Sequence, residues 1–516
     1  MKRLLRVLSM FITIATCVMV WGQDDFVGSG DSITTDGAVM PEEMFTRLSL
    51  IYHQSQKVLA PQIKPYRVEL PPTITPPEEE DSQARSLRIG YVGPVPEAIF
   101  ERAPWHRLSD GSRIKRIELH SRNATALRVM MTDPGPVQLR VYDPVTMSAF
   151  GPYTSPTLNE DGTWWSTIIF GDTIGLEFYL PAEYTAPPSV LPRIVGALYC
   201  YKDLTGSDFY PQSGDCHTDL MCYPSWANSI EGRAIGLILF SSSGDSFLCT
   251  GALIVRDIGD FSPILMTARH CLGTQAEANT AVIIWFYQSQ TCNGKNPPNP
   301  NTLPRNDGTL LLKTDASSDW TLLGLYTPPG SDSYIGWDSS YLPIGSSVVT
   351  IGHPRGYPKR IQFGTKTSDT TCFGTAGTFR MISTTGLGSR GDSGSPLYDI
   401  NRRARGTLSC GPSDCTNESN FGRLDVAFPE VRWYLFNPAN PTFVNRAVAG
   451  DPGNDGSTER GTSSNPFNTV YEGAFCVPSN GTVRIVPGNY NERFTLWRPM
   501  RLEREGASGV VRIGAP

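Results

Sequence analysis

The chain has 516 residues, 18% of them charged, with 44 Lys+Arg against 50 Asp+Glu and a formal charge of −6. That length exceeds one hydrophobic core and predicts about three domains. The charge balance excludes a basic nucleic-acid surface, and no long charge run marks an interaction tail.

Lys2, Arg3 and Arg6 precede a mostly apolar run from Val7 to Trp21, with small Val20 and Gly22 just before Gln23. This predicts a signal peptide over 1–22 and export of the rest. The run is short of the ~20 residues that cross a bilayer, and no later segment is apolar enough, so no membrane span is predicted. Of the eleven cysteines, Cys17 falls in the signal peptide; the even remainder predicts disulfides in an oxidising compartment. There is no Cys-x-x-Cys pair, and His217 and His270 each stand alone beside a cysteine, so no metal site is predicted.

Residues 23–85 are proline-rich from Pro61 to Pro77 and then acidic at Glu78-Glu79-Glu80-Asp81, which predicts a linker or pro-region, loosely held. Residues 86–205 carry short strand-like runs at Arg88–Val92, Ile114–Leu119, Ala126–Met131, Val137–Tyr142 and Ile174–Leu180. Turn clusters such as Asp133-Pro134-Gly135-Pro136 and Asn159-Glu160-Asp161-Gly162 separate them, the pattern of a β-sandwich. Residues 206–440 carry further strand-like runs and most of the cysteines. After the turn-rich joint at Ala449–Gly456, Asn465–Val470 and Gly481–Tyr490 resemble the opening coils of a parallel β-helix within 441–516. So few coils cannot bury their own faces. The whole chain reads as all-β.

Three stretches of the 206–440 region carry chemistry. In Leu265-Met266-Thr267-Ala268-Arg269-His270-Cys271 an apolar strand delivers a histidine. In Ser317-Ser318-Asp319-Trp320-Thr321-Leu322 an aspartate opens an apolar run. In Gly391-Asp392-Ser393-Gly394-Ser395-Pro396 a serine sits in a glycine turn. A serine hydroxyl needs a neutral imidazole to take its proton, and the imidazole needs a buried carboxylate to hold its tautomer. The flanking glycines let the N–H groups of Gly391 and Ser393 face one oxyanion. Singly, each stretch has a bland reading as a strand end, a cap or a loop. Together, their order His, Asp, Ser is that of chymotrypsin. The predicted triad is His270, Asp319 and Ser393.

Residues from about 206 to 436 resemble the chymotrypsin-like serine proteases, and more closely their bacterial lysyl endopeptidase branch. The matching stretches include Cys249-Thr250-Gly251-Ala252-Leu253, Thr267–Cys271, Trp285-Phe286-Tyr287-Gln288 with Cys292, Asp319-Trp320-Thr321, His353-Pro354, Gly394-Ser395-Pro396, Gly411-Pro412-Ser413 with Cys415, and Gly422-Arg423. The resemblance implies two six-stranded β-barrels with the site between them, preceded by a β-sandwich prodomain that is removed on maturation. It implies disulfides Cys216–Cys415, Cys222–Cys292 and Cys249–Cys271. Cys372 and Cys410 match no cysteine of that branch; they fall where it stacks a ring on a histidine, and a disulfide between them replaces that stack. Cys200 and Cys476 are left over, to pair with each other or with partners. His353 is read as structural.

The substrate pocket implied by position involves Leu387, Gly388, Ser409, Gly411, Glu418 and Ser419. The branch's lysine-selecting aspartate falls on Ser419, with Glu418 beside it, and Leu387 stands where trypsin-like enzymes carry their aspartate. Asp392 precedes the serine as in chymotrypsin, where that carboxylate pairs with a new N-terminus; the lysyl endopeptidase branch has serine there. The reading is therefore a secreted serine endopeptidase made as a pre-pro-protein, acting on protein or peptide substrates. It needs no cofactor, has its own propeptide as partner, and is monomeric after maturation. Its rivals are an inactive protease-like binding fold and a β-helix surface adhesin.

Overall fold

The structure is a computed structural model that describes residues 32–514, apart from 54–55, 76–85, 155, 160, 185–191, 205–215, 413, 437, 447–458, 493, 495 and 497. The predicted signal peptide over 1–22 lies outside the described residues. Among the described residues no helix is long and apolar enough to cross a membrane.

Alternation builds the N-terminal sandwich. In Thr173–Leu180, Ile174, Leu176, Phe178 and Leu180 are each at most 1% exposed and face the core, as a period of two requires. One sheet runs Gln56–Lys57, Ser148–Tyr153, Gln138–Tyr142, Thr173–Leu180, Arg113–His120, Tyr66–Glu69. The facing strands are Thr163–Trp165, Ala126–Thr132, Ile194–Cys200 and Leu87–Gly93. That second sheet does not stop at the sandwich. Leu87–Gly93 pairs antiparallel with Asp245–Leu253, setting Leu87 opposite Leu248. The segment read from composition as a loose arm carries the helix Glu42–Tyr52, and its strands Thr34–Thr35 and Ala38–Val39 pair with Trp337–Asp338 and Ser333–Tyr334.

The sandwich is also clamped to the neighbouring barrel by side chains. Arg128 donates to the carbonyl of Thr280, Arg305 donates back to Ile168 O at 2.6 Å, and the Asn301 amide bonds Phe170 N and O at 2.9 and 2.8 Å. Burial pushes both guanidinium groups down to about 10, so they remain cations and each needs those carbonyl acceptors.

Two curled sheets follow. In the first, Ile235–Ser242, Asp245–Leu253, Ile264–Ala268 and Trp320–Leu325 pair in succession and lead to Thr309–Asp315. Val282–Trp285 pairs with Arg305–Asp307 on the other side, and the chain bends from Arg305–Asp307 into Thr309–Asp315 at Gly308, whose φ is +69°. In the second, pairing runs round a closed ring of six: Ser347–Gly352, Arg360–Cys372, Thr375–Thr385, Glu418–Arg423, Ala404–Cys410, Pro396–Tyr398 and back. The helix Leu424–Leu435 closes this part, burying Leu424, Ala427, Val431 and Leu435 along one face, the spacing of an amphipathic helix. The all-β expectation holds, with a closed six-stranded barrel beside a more open curled one.

For the last block, the expected likeness to the opening coils of a β-helix is not confirmed. Thr442–Val444, Thr482–Ile485 and Arg501–Arg504 form a short parallel sheet, and Gly488–Tyr490 pairs in parallel with Val511–Ile513. Two or three stacked strands do not make a solenoid. The block is held against the first barrel instead. Arg498 pairs with Asp260 at 2.9 Å, and Arg256 donates to Cys476 O at 2.7 Å.

Candidate active site

Strand Ile264–Ala268 is wholly buried and ends two residues before His270. Asp319 lies just before strand Trp320–Leu325, which pairs with that strand, so Ala268 stands opposite Trp320. The register brings histidine and aspartate to the same end of the sheet. His270 Nδ1 and Asp319 Oδ2 are 2.7 Å apart, and His270 N–H donates to Asp319 Oδ1 at 2.9 Å. Asp319 has φ +58°, a left-handed conformation that a non-glycine residue adopts only when its surroundings enforce it. Those surroundings come from the second barrel: Trp320 Nε1 donates to Gly422 O at 2.9 Å, and Gly377 N to Ser317 O at 2.7 Å.

A third donor completes the carboxylate. Ser409 Oγ donates to Asp319 Oδ2 at 2.6 Å. Burial alone pushes this carboxyl up, but the His270 charge, its two hydrogen bonds and the Ser409 hydroxyl outweigh it and hold Asp319 below its ordinary range. The sequence reading placed Ser409 among the substrate-binding residues; the structure directs its hydroxyl to Asp319. No local pattern separates the two roles, because these partners are 90 positions apart in the chain.

The turn Gly391–Ser395 docks on the first barrel beside the same strand end. Thr250 N donates to Ser393 O at 2.8 Å, and Thr250 Oγ1 to Gly391 O at 2.9 Å. A Cβ on Gly394 would stand 2.1 Å from Thr250 O and 2.2 Å from Thr267 Oγ1. Only glycine lets the serine turn approach this closely. Gly391 and Gly394 have φ of +104° and +87°. Within the turn, the N–H groups of Asp392, Gly394 and Ser395 meet carbonyl acceptors, whereas those of Gly391 and Ser393 meet none among the described residues. These two N–H groups, with Asp392 between them, are the donors in the turn left available to an incoming acceptor.

The residues expected to line the pocket divide. Leu387 N donates to Cys216 O at 3.0 Å, and Gly388 bridges antiparallel to Thr416. A Cβ on Gly388 would stand 2.9 Å from Ser419 Oγ. Gly411 lies at the exposed rim. Glu418 departs from the group: its carboxylate sits 3.2 Å from Arg380 Nε, and Asn420 Nδ2 donates to it at 3.3 Å. Neighbours on a strand face opposite sides, so Ser419 faces Gly388 and Glu418 faces away.

Four disulfides brace the region: Cys216–Cys415, Cys222–Cys292, Cys249–Cys271 and Cys372–Cys410. Cys200 and Cys476 are buried free thiols, not paired with each other, and burial pushes both up to about 12. His353 is fully buried with Nδ1 2.8 Å from Tyr357 O, and burial pushes its pKa down to about 3. It is a neutral packing residue.

Residues 210–425 match the family described as lysyl endopeptidase, C-terminal domain, and residues 72–190 the lysyl endopeptidase N-terminal domain. The chain is a relative of the trypsin-like lysyl endopeptidases. The lysyl endopeptidase of Pseudomonas aeruginosa is 28% identical over 372 residues, covering 67% of this chain and 80% of that one. Among solved structures, the thermostable serine protease AL20 from an extremophilic microorganism is 18% identical, covers 38% of this chain and 93% of its own, and overlaps with a TM-score of 0.28. Protease Anisep from Arthrobacter nicotinovorans is also 18% identical, over 37% and 90%, with a TM-score of 0.29. The fold described above rests on strand pairing, not on these overlaps. These similarities support a serine endopeptidase, a hydrolase of peptide bonds.

Proposed function

We propose that Ser393 is the nucleophile, His270 the general base and Asp319 the carboxylate that holds the imidazole. The observation that carries this is the Asp319 side chain. It binds His270 Nδ1 and His270 N–H together, which leaves Nε2 as the basic nitrogen. Ser393 Oγ attacks the scissile carbonyl as His270 takes its proton, and Gly391 and Ser393 N–H groups receive the oxyanion. His270 then protonates the leaving amine, the acyl-enzyme forms, and water reverses the steps. No cofactor enters.

The chain is exported and made as a pre-pro-protein. Domain boundaries near 22, 85, 205 and 440 follow the changes in sequence pattern. The sandwich acts as propeptide, and its sheet contact at Leu87–Gly93 with Asp245–Leu253 supports that pairing. The pocket presents the Ser419 hydroxyl, while Glu418 is engaged by Arg380. An unpaired lysine ammonium is costly to bury, so the enzyme prefers uncharged residues before the scissile bond, unlike its lysyl endopeptidase namesake.

The test is a fluorophosphonate probe on protein purified from the full chain. It labels wild type at Ser393, whereas Ser393→Ala takes no label and loses about 10⁶-fold in kcat. An unlabelled wild type, or a Ser393→Ala enzyme near full activity, rejects the reading. A peptide panel varying only the residue before the cut reads the selectivity.

A further inference from the structure

We propose that Gln362 is a positioning residue for the reaction: its side-chain amide holds Asp392, and through it the turn that aims the Gly391 and Ser393 N–H groups. This rests on the serine-endopeptidase reading of the same site.

Asp392 is 1% exposed and is the backbone pivot of the turn. Its N–H donates to Ser389 O at 3.2 Å, and its carbonyl accepts from Ser395 N at 2.9 Å. Its side chain meets only two donors among the described residues. Ser389 N and Gln362 Nε2 both reach Asp392 Oδ2 at 3.2 Å. Asp392 Oδ1 has no partner among the described residues. Bare backbone closes that side, since a Cβ on Gly352 would stand 2.5 Å from Asp392 Oδ1 and 2.1 Å from Ser395 Oγ.

The surrounding charges do not replace the amide. The carboxylate whose charge acts on Asp392 is Asp414, and it is engaged by Arg390 N at 2.8 Å and by the Arg355 and Arg390 guanidinium groups at 3.6 Å. His217 reaches Ser389 Oγ at 2.7 Å rather than Asp392. His353 directs its Nδ1 to Tyr357 O. No cationic side chain bonds Asp392 among the described residues. Burial, opposed by the Ser389 N–H, pushes its carboxyl well above the ordinary range.

Gln362 is built for the task. It lies on strand Arg360–Cys372, opposite Thr350, and is 3% exposed. Ser383 Oγ donates to Gln362 Oε1 at 3.4 Å, which turns Nε2 toward Asp392. The same amide lies 3.5–3.6 Å from where a Gly388 Cβ would stand, so the pocket wall and the nucleophile turn share one group. Loss of the amide leaves Asp392 one donor and frees the turn. Misaimed N–H groups weaken the transition state more than the bound substrate, so kcat falls and KM does not.

The test compares wild type, Gln362→Leu, Gln362→Glu and Asp392→Asn, each made from the full chain and counted by fluorophosphonate titration. Gln362→Leu is expected to lose roughly 10–100-fold in kcat with KM within about threefold. Gln362→Glu restores a donor only while the two acids share a proton. Its activity therefore falls as pH rises through the pair's upper titration, a limb absent from wild type. Wild-type kcat in Gln362→Leu, or a Gln362→Glu profile parallel to wild type, overturns the inference. If Gln362→Leu does not fold, the Gln362→Glu profile decides, and full activity in Asp392→Asn also overturns it. A wild type that takes no label rejects the endopeptidase reading itself, whereas a labelled wild type with indifferent variants rejects only the role of Gln362.

Discussion

Asp319 and Asp392 are both almost fully buried, at 3% and 1% exposure, yet their carboxyls are shifted in opposite directions. Asp319, at the end of the first barrel, receives two hydrogen bonds from His270 and one from Ser409 and stands beside a potential cation. Asp392, in the serine turn of the second barrel, receives one backbone N–H and one neutral amide on a single oxygen. The first carboxyl is held below its ordinary range and the second well above it. Burial alone therefore does not set protonation; the donors that accompany it do. In the proposed mechanism the first carboxylate stabilises an imidazolium, and the second, shifted the other way, braces the serine turn.

The largest test of this contrast is Asp319→Asn. The amide can present an N–H where Nδ1 needs an acceptor, so turnover should fall by about four decades with the fold intact. Steady-state kinetics on titrated enzyme reads it, and a loss below tenfold would mean that another carboxylate holds His270.

The next sharpens the contrast through stability against pH. Asp319 has a depressed folded pKa, so its contribution is present above the unfolded value of about 3.9 and is lost as pH falls through the folded one. Asp392 has a raised folded pKa, so its contribution is present below about 3.9 and is lost as pH rises toward the folded value. Denaturation series on Asp319→Asn and Asp392→Asn, each relative to wild type, should therefore drift in opposite directions across these windows, by at most about 1.4 kcal/mol per pH unit. Parallel drifts would remove the distinction.

The smallest expected effect is at the pocket. Because Glu418 faces Arg380, Glu418→Gln should change the preference before the scissile bond by less than about threefold. A selective loss of lysine cleavage in that variant would place the carboxylate in the pocket after all.

Much of this was legible without coordinates. The strand-like runs of the sandwich coincide with observed strands such as Arg113–His120 and Thr173–Leu180, because a half-buried strand writes its period of two directly into the chain. The stretches around His270, Asp319 and Ser393 announced themselves as strand end, buried acid and glycine turn. Gln362, and the contact of Ser409 with Asp319, did not. Each residue sits within a barrel strand, and its partner lies 30 and 90 residues away, respectively. Glu418 and Ser419 were adjacent candidates, and only the Ser419 hydroxyl, 2.9 Å from where a Gly388 Cβ would stand, told which one faces Gly388.

By itself the sequence determined the all-β class, the cysteine inventory and the residue types available for acyl transfer. These depend on local periodicity, composition and turn chemistry, which neighbouring residues carry together. Only the tertiary structure decided that the sandwich sheet runs on into the barrel at Leu87–Leu248, that Ser409 serves Asp319, and that an amide rather than a cation meets Asp392. Hydrogen bonds and buried carboxyls respond to whatever stands within about 3.5 Å, and in a β-barrel that neighbour is chosen by register and closure, not by position along the chain.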